Sequence, residues 1–184
     1  MPDRGATTPP APTIRPYVPT DQDDVSALFT IVNRALAPPD MADAFARYVD
    51  QALKDDMGRI PDFYVKPGGG FWVAVDGTRL VGMFGLEKTG DGVMELRRMY
   101  VHPDARRRGI ARHMLDRAER ECARLGAARL TLSTSEVQPA ALSLYRRSGY
   151  ALIREGVVEA PSARSIGGGV RRFYFAKIVG ANAT

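Results

Sequence analysis

The sequence is poor in the residues that form covalent and metal cross-links. It has a single cysteine, Cys122, and two histidines, so no disulfide can form within the chain and no metal-ligand spacing appears. We therefore expect no bound metal, and the lack of disulfides fits a reducing cytoplasm. Because Cys122 falls on the apolar stripe of a predicted helix, we interpret it as a buried structural cysteine.

Long apolar runs are missing as well. No stretch approaches the ~18 apolar residues that a membrane-spanning helix requires. The first twelve residues have neither the basic start nor the apolar core of a secretory signal. These absences favour a soluble cytoplasmic protein with no membrane partner.

The two common nucleotide-binding loops are also absent. Neither Gly-x-x-x-x-Gly-Lys-Ser/Thr nor Gly-x-Gly-x-x-Gly between a strand and a helix occurs in the chain. The triple-glycine runs at 68–70 and 167–169 precede predicted strands instead of helices, so we interpret them as turns. If the protein holds a phosphate, another segment must do so.

The chain does have the composition of a packed globular protein. Of its 184 residues, 45% are hydrophobic and 26% are charged, and this length is that of one domain. We place that domain at residues 13–180. Residues 1–12 contain several prolines that cannot join a helix or a sheet, so we expect a disordered N-terminal tail there.

Positive charge is concentrated in one short stretch. The net charge is +5, which favours an anionic partner such as nucleic acid, a membrane surface or a phosphorylated cofactor. The central part of the chain contains a cluster of arginines: Arg97, Arg98, Arg106, Arg107, Arg108, Arg112, Arg117 and Arg120. This clustering indicates a local anion site.

Hydrophobic periodicity and turn residues predict the order β-α-α-β-β-β-α-β-α-β-β, a mixed α/β domain. The hairpin at Asp76-Gly77 is the clearest strand signal. Strands are predicted at 13–18, 71–75, 80–86, 94–101, 129–133, 150–154 and 172–179. A helix is predicted at 109–125, and Pro139 opens another. Arg97 and Arg98 should alternate across their strand, so that at most one of them faces any cleft.

The segment at 106–111 has the properties of an anion site. It follows a predicted strand and opens a helix, whose first N–H groups have no partner and carry partial positive charge. Gly109 lets a phosphate approach the backbone, and Arg106 and its neighbours add charge-assisted contacts. We expect a pyrophosphate to bind here.

These residues also carry a resemblance. Arg106-x-x-Gly109-x-Ala111 resembles the acetyl-CoA signature Arg/Gln-x-x-Gly-x-Gly/Ala of the GNAT superfamily of N-acetyltransferases. Residues 138–145 (QPAALSLY), followed by Gly149-Tyr150, are similar to the family pattern Asn-x-x-Ala-x-x-Leu-Tyr and Gly-Phe or Gly-Tyr. Gln138 replaces the commoner asparagine but keeps the amide.

The resemblance implies a mixed, mostly antiparallel sheet flanked by helices, with a V-shaped splay between the fourth and fifth strands. Pantetheine would lie in that splay and the pyrophosphate over the following helix start. The implied acetyl-CoA-binding residues are Met99, Tyr100, Val101, Arg106, Arg107, Arg108, Gly109, Ile110, Ala111, Arg112, Gln138 and Tyr145. Homodimers are common in the family, which leaves a homodimer as an open option.

The resemblance further implies direct attack of an amine on the thioester in a ternary complex. An alkylamine is mostly protonated at neutral pH, so a base is needed, and we predict Glu95, with Glu87 as the second candidate. Tyr145 would protonate the leaving thiolate, and a backbone N–H near Met99 or Tyr100 would meet the oxyanion. Alternatively, Tyr145 only packs or positions the sulfur, and Glu95 only pairs with neighbouring arginines.

We therefore predict transfer of an acetyl group from acetyl-CoA to a primary amine. Residues 132–135 are similar to family members that act on small molecules, which favours a small acceptor. The alternatives are a sensor that binds acyl-CoA without turnover and a nucleic-acid-binding module. The basic stretch lacks the interleaved aromatics of a single-strand platform and does not read as a recognition helix, so we expect no nucleic-acid partner.

Specificity for the acceptor is expected to come from residues 37–66 and from the loop at 157–170. Aspartates in the first region could attract a cationic amine or form a solvated face, and we favour the solvated face. They are Asp40, Asp43, Asp50, Asp55, Asp56 and Asp62.

Overall fold

The predicted order of helices and strands is confirmed in the computed structural model, which describes residues 11–162 and 165–180. The strands are β1 Thr13–Pro16, β2 Gly70–Asp76, β3 Arg79–Gly90, β4 Val93–Val101, β5 Arg129–Ser135, β6 Ala151–Val158 and β7 Val170–Ile178. The helices are α1 Gln22–Leu36, α2 Ala42–Asp55, α3 Ile110–Arg124 and α4 Pro139–Arg147. Most of the predicted N-terminal tail, residues 1–10, lies outside the described residues.

All seven strands form one sheet in the order β1-β2-β3-β4-β5-β7-β6. Every neighbouring pair is antiparallel except β4 and β5, which are parallel. Their pairing runs from Val93 opposite Arg129 to Leu96 opposite Leu132 and stops there, although both strands continue. The predicted mixed sheet with a splay between its fourth and fifth strands is therefore confirmed.

A β-bulge in β4 lies where the splay begins. Tyr100 pairs with Met83 and Arg97 with Gly85, so three steps along β4 match two along β3. Arg98 takes a φ of 53°, in the left-handed region that non-glycine residues seldom adopt. A bulge bends its strand and redirects side chains, and such bulges are frequent next to active sites. Because of this bulge, Arg97 and Arg98 are both buried and both line the cleft between β4 and β5. The prediction that the two arginines alternate across the strand, with at most one facing a cleft, is therefore wrong.

The sheet buries an apolar cluster on each face. On one face, Met114 and Leu115 of α3, which packs mainly over β3 and β4, lie in one cluster with Phe175 of β7. On the other face, Phe29 of α1 lies in a cluster with Met83 of β3. Full burial of such a side chain stabilises the fold by about 1.5–3 kcal/mol, so both faces hold the strands in register.

Cys122 lies in the cluster beneath α3 and is fully buried. Burial, with a smaller contribution from the charge of Glu119, raises the pKa of its thiol to about 11. The thiol therefore stays protonated at neutral pH, which agrees with the structural role predicted for it.

The structure differs from the sequence predictions at two elements, the end of β6 and a short helical turn before β2. Strand β6 extends to Val158, four residues beyond its predicted end, and a single π-helical turn at Pro61–Val65 was not predicted. None of the helices within the described ranges has both the length and the apolar character needed to cross a membrane.

Candidate active site

A groove of about 620 Å³, here called the main groove, opens between the end of β4, the start of α3 and the helix α4. Every predicted cofactor-binding residue except Arg108 lines it. Those residues are Met99, Tyr100, Val101, Arg106, Arg107, Gly109, Ile110, Ala111, Arg112, Gln138 and Tyr145. Thus the two sequence motifs, which are separated by α3 and β5, meet at one surface.

Arg108 is oriented elsewhere. Its Nη1 lies 2.7 Å from Asp76 Oδ2, at the end of β2, where the two side chains form a partly exposed ion pair. The structure therefore separates Arg108 from the other predicted cofactor-binding residues.

The loop before α3 is shaped by two left-handed residues, Arg107 with a φ of 63° and Gly109 with a φ of 76°. The first helical bond runs from His113 N–H to Gly109 C=O, so the N–H groups of residues 109–112 precede it and lack intrahelical partners. A Cβ on Gly109 would meet nothing within 4 Å. The left-handed backbone angle thus favours glycine at position 109, and the open space leaves room for an approaching anion.

Arg112 connects the two helices that border the main groove. Its Nη1 donates a 3.0 Å hydrogen bond to Ser148 Oγ just beyond α4, and its Nε lies 2.9 Å from Asp116 Oδ1. The guanidinium is therefore held at the end of the groove where the unpaired N–H groups begin.

At its inner end the main groove meets a smaller space between β4 and β5, here called the deep cleft. Its volume is about 80 Å³, and Glu95, Ser133, Gln138, Tyr145 and Arg172 are among the residues that line it. Gln138 Oε1 accepts a 2.7 Å hydrogen bond from Thr134 Oγ1. The amide of Gln138 is thereby fixed between β5 and α4.

Tyr145 lies at the junction of the deep cleft and the main groove. Its ring centroid lies 5.9 Å from that of Tyr150 in an edge contact and 6.1 Å from that of Phe175. Burial raises the pKa of Tyr145 well above its ordinary value, so the hydroxyl stays protonated at neutral pH. It can therefore donate a hydrogen bond into the cleft.

The two carboxylates predicted as bases lie directly opposite each other on neighbouring strands, Glu87 on β3 and Glu95 on β4. Glu87 Oε2 lies 2.9 Å from Nη1 of Arg97. Glu95 lines the deep cleft, whereas Glu87 does not. Of the two candidates, the structure brings only Glu95 to the wall of the cleft.

A third space, here called the side cavity, adjoins the deep cleft and has a volume of about 400 Å³. Glu95, Ser133 and Arg172 line both spaces. Strands β5, β6 and β7 supply most of the walls of the side cavity, and Ser165 of the predicted specificity loop contributes as well. No group of three or more potential metal-ligating residues occurs in residues 11–162 and 165–180.

A buried ionic cluster behind the cleft was not foreseen from the sequence. Asp56 is 1% exposed and accepts hydrogen bonds from Arg98 Nε at 2.9 Å, Arg98 Nη2 at 2.7 Å and the Tyr64 hydroxyl at 2.6 Å. Burial alone would raise the pKa of Asp56, but these hydrogen bonds and the nearby positive charges lower it. The interpretation of Asp56 as part of a solvated face is therefore wrong.

Arg98 is surrounded by aromatic rings as well. Its guanidinium carbon lies 5.1 Å from the ring centroid of Phe29 and 5.4 Å from that of Tyr48, whose hydroxyl it also contacts. Such cation–π contacts help compensate the lost hydration of a buried guanidinium.

Comparison with known proteins agrees with this geometry. The model of the Acetyltransferase (GNAT) family matches residues 35–150. The chain belongs to the GNAT family. The matched segment includes both motifs, the bulge and the splay.

Curated GNAT relatives are similar over part of their length. N-acetylaspartate synthetase from Xenopus tropicalis is 39% identical over 115 residues, which cover 61% of this chain and 41% of that protein. N-acetyltransferase 8 from Homo sapiens is 30% identical over 112 residues, which cover 58% of this chain and 49% of that protein. The chain thus spans less than half the length of either relative.

The GNAT fold extends over almost the whole chain. The crystal structure of an acetyltransferase from Streptococcus agalactiae superimposes with a TM-score of 0.71 at 19% identity, covering 90% of this chain and 97% of that one. At this identity, the likeness concerns the fold. The strands and helices outside the family match, including β6 and β7, therefore belong to the same architecture.

Proposed function

We propose that this protein transfers an acetyl group from acetyl-CoA to the primary amine of a small molecule, by direct attack in a ternary complex. One observation carries the proposal: the main groove begins at helix N–H groups that lack intrahelical partners and ends at a cleft that contains both a carboxylate and a tyrosine hydroxyl. An anion-binding end and an acid–base end, joined by an apolar channel, suit a long phosphorylated thioester.

The chain's own groups fit each part of acetyl-CoA. The N–H groups of residues 109–112, with Arg106 and Arg107 beside them, would hold the pyrophosphate. Past Leu96 the edge of β4 has no strand partner on the β5 side within the described residues, so the backbone at Met99 and Val101 would be available to pair with the pantetheine amides.

Glu95, directly or through a water, would remove a proton from the acceptor ammonium and leave a neutral amine. The nitrogen lone pair then attacks the thioester carbonyl, and a backbone N–H near Met99 or Tyr100 stabilises the oxyanion. The C–N bond forms and the C–S bond breaks. Tyr145 supplies the proton that the departing sulfur takes up. The second proton that the nitrogen loses then passes through a water to the Tyr145 oxygen and restores its hydroxyl.

The small acceptor is supported by the size of the side cavity and by one of the relatives. The relative named N-acetylaspartate synthetase takes its name from an acetylated amino acid. A cavity of about 400 Å³ lies near the lower end of the range for small-molecule sites, roughly 300–1,000 Å³. We accordingly place free amino acids first among the amines to be screened.

The test begins with thermal unfolding in the presence of acetyl-CoA, with ATP and a short oligonucleotide as anion controls. A ligand at a hundred times its dissociation constant adds about 2.7 kcal/mol of stability. We expect stabilisation by acetyl-CoA alone, followed by amine-dependent release of free thiol. Equal stabilisation by all three anions would indicate a generic anion patch, and binding without turnover of any amine would indicate a sensor.

A further inference from the structure

Arg172 is a charged side chain that the proposed transfer steps do not use. It is half-buried on β7 and lines both the deep cleft and the side cavity. Its Nη2 donates a 2.7 Å hydrogen bond to Ser133 Oγ. Among the described residues, this is the only hydrogen bond that the guanidinium makes, and none of their carboxylates forms an ion pair with it. Most of its N–H donors are therefore available to a ligand.

The neighbouring arginines of the cleft differ from Arg172 in this respect. Arg98 forms a buried ion pair with Asp56, and Arg97 forms one with Glu87 at 2.9 Å. Removing a charge from water without a counter-charge is unfavourable. An anionic group on a bound ligand would supply the counter-charge that Arg172 does not receive from the described residues.

Glu95 and Arg172 border the same two spaces, Glu95 from β4 and Arg172 from β7. Glu95 is level with Thr131 of β5, and the hydrogen bond from Arg172 ends on Ser133, two residues farther along that strand. Two residues of a strand span roughly 6–7 Å. A small molecule between them would meet a negative group at one end and a positive group at the other.

We infer that the acceptor carries a carboxylate as well as its amine, as a free amino acid does, and that Arg172 binds this carboxylate. The inference rests on the proposed acetyl transfer and adds the class of acceptor and the residue that recognises it. The planar fork of a guanidinium matches a carboxylate in two parallel hydrogen bonds, and Ser133 holds that fork in place. Arg172 orients the acceptor and takes no part in proton transfer.

The test compares amines that differ only in the carboxylate: glycine against glycinamide, and aspartate against its diamide. With acetyl-CoA, we expect the kcat/KM of the wild-type protein to be roughly 10- to 100-fold higher for the acids than for the amides. A factor of this size corresponds to one charge-assisted hydrogen bond. Arg172→Gln should remove this preference by raising KM for the acids, with kcat and the rates of the amides nearly unchanged. Arg172→Lys keeps the positive charge but loses the planar fork, so it should retain part of the preference for acids over amides.

Arg171→Gln is the matched control. Arg171 precedes Arg172 on β7, is 52% exposed and pairs with Glu155, so its replacement should leave the preference intact. Thermal unfolding of each variant with acetyl-CoA reports whether its fold and cofactor binding are preserved.

The outcomes separate this inference from the proposed function. Failure of acetyl-CoA to stabilise the wild-type protein would overturn the proposed function and the inference with it. If acetyl-CoA binds and amines are acetylated, equal use of acids and amides, or an equal loss for both in Arg172→Gln, would overturn the inference alone. Acetyl-CoA binding with no acetylation of either acid would also overturn it.

Discussion

At the scale of single residues, the cleft pairs a hydroxyl that stays protonated with a carboxylate. Packing against Tyr150 and Phe175 fixes the Tyr145 ring, and burial raises the pKa of its hydroxyl. A thiolate that departs inside the same cleft is also poorly hydrated, which raises its own proton affinity. The proton affinities of the proposed donor, Tyr145, and of the proposed leaving group are therefore shifted in the same direction, so proton transfer between them would stay feasible.

We predict that Tyr145→Phe lowers kcat by roughly 100-fold, the loss typical for a positioned general acid, with an unchanged Kd for acetyl-CoA. The ring and its packing are kept, so the effect arises from the hydroxyl. Steady-state kinetics with isothermal titration of acetyl-CoA measure the two quantities. Tyr150→Phe removes a hydroxyl from the adjacent ring, outside the three spaces, and should retain wild-type kcat. A Tyr145→Phe variant as fast as wild type would refute the acid role.

The two opposed carboxylates give a second prediction. Glu95→Gln should lower kcat/KM by roughly 100-fold or more, because it removes the proposed general base. Glu87→Gln removes the ion pair with Arg97 but no group from the cleft wall, so its loss should be much smaller. The comparison uses the rate of thiol release across pH 6–9 with the best acceptor. A larger loss in Glu87→Gln would assign the base to β3 instead.

At the scale of elements, the sequence predicted the order of strands and helices because apolar periodicity and turn residues are local signals. The anion site at the helix start, residues 106–111, could likewise be predicted, because its glycine, its arginines and the preceding strand are contiguous in the sequence. The bulge in β4 was not, because one inserted residue barely changes the alternation of a strand that is buried on both faces. Its consequence, two adjacent arginines on the cleft, could be seen only once the register with β3 was known.

The start of α3 gives a prediction that separates strain from function. Gly109→Ala places a Cβ at a φ of 76°, which costs about 1–2 kcal/mol, and sets a methyl group where the pyrophosphate would approach. We expect lower stability and a Kd for acetyl-CoA that rises roughly 10-fold or more, as for one lost charge-assisted hydrogen bond.

Gly126, at the other end of the same helix, provides the control. Its φ is 82°, and a Cβ there would also meet open space. Gly126→Ala should therefore lose similar stability in thermal unfolding while binding acetyl-CoA as wild type does. Equal binding by both variants would contradict the anion site at α3.

At the scale of the whole molecule, the ion pair between Asp56 and Arg98 ties the segment after α2 to the bulge in β4. The two residues are separated by 42 positions, and no local pattern relates them. Arg172 and Ser133 are likewise brought together only by the pairing of β5 with β7. The sequence thus indicated the proposed cofactor side of the site through contiguous motifs, whereas the proposed acceptor side depends on contacts between distant segments.

The Asp56 pair makes stability depend on pH in a defined direction. Asp56→Asn removes the buried carboxylate that pairs with Arg98 at 2.7 Å, so it should lower the free energy of unfolding by roughly 3–5 kcal/mol at pH 7. Because the pKa of Asp56 is lowered in the folded state, its contribution is complete above the unfolded pKa of ~3.9 and is lost as pH falls through the folded value. Urea unfolding at pH 7 and below pH 4 should therefore show that the wild-type protein and Asp56→Asn differ less in free energy of unfolding at the acidic pH.

Asp55→Asn is the control. In the wild-type protein the Asp55 carboxylate accepts a hydrogen bond only from Gln51 among the described residues, so this variant should differ from wild type by about 0.5 kcal/mol or less at either pH. A loss of the same size in both variants would mean that the buried pair does not anchor the acceptor side of the fold.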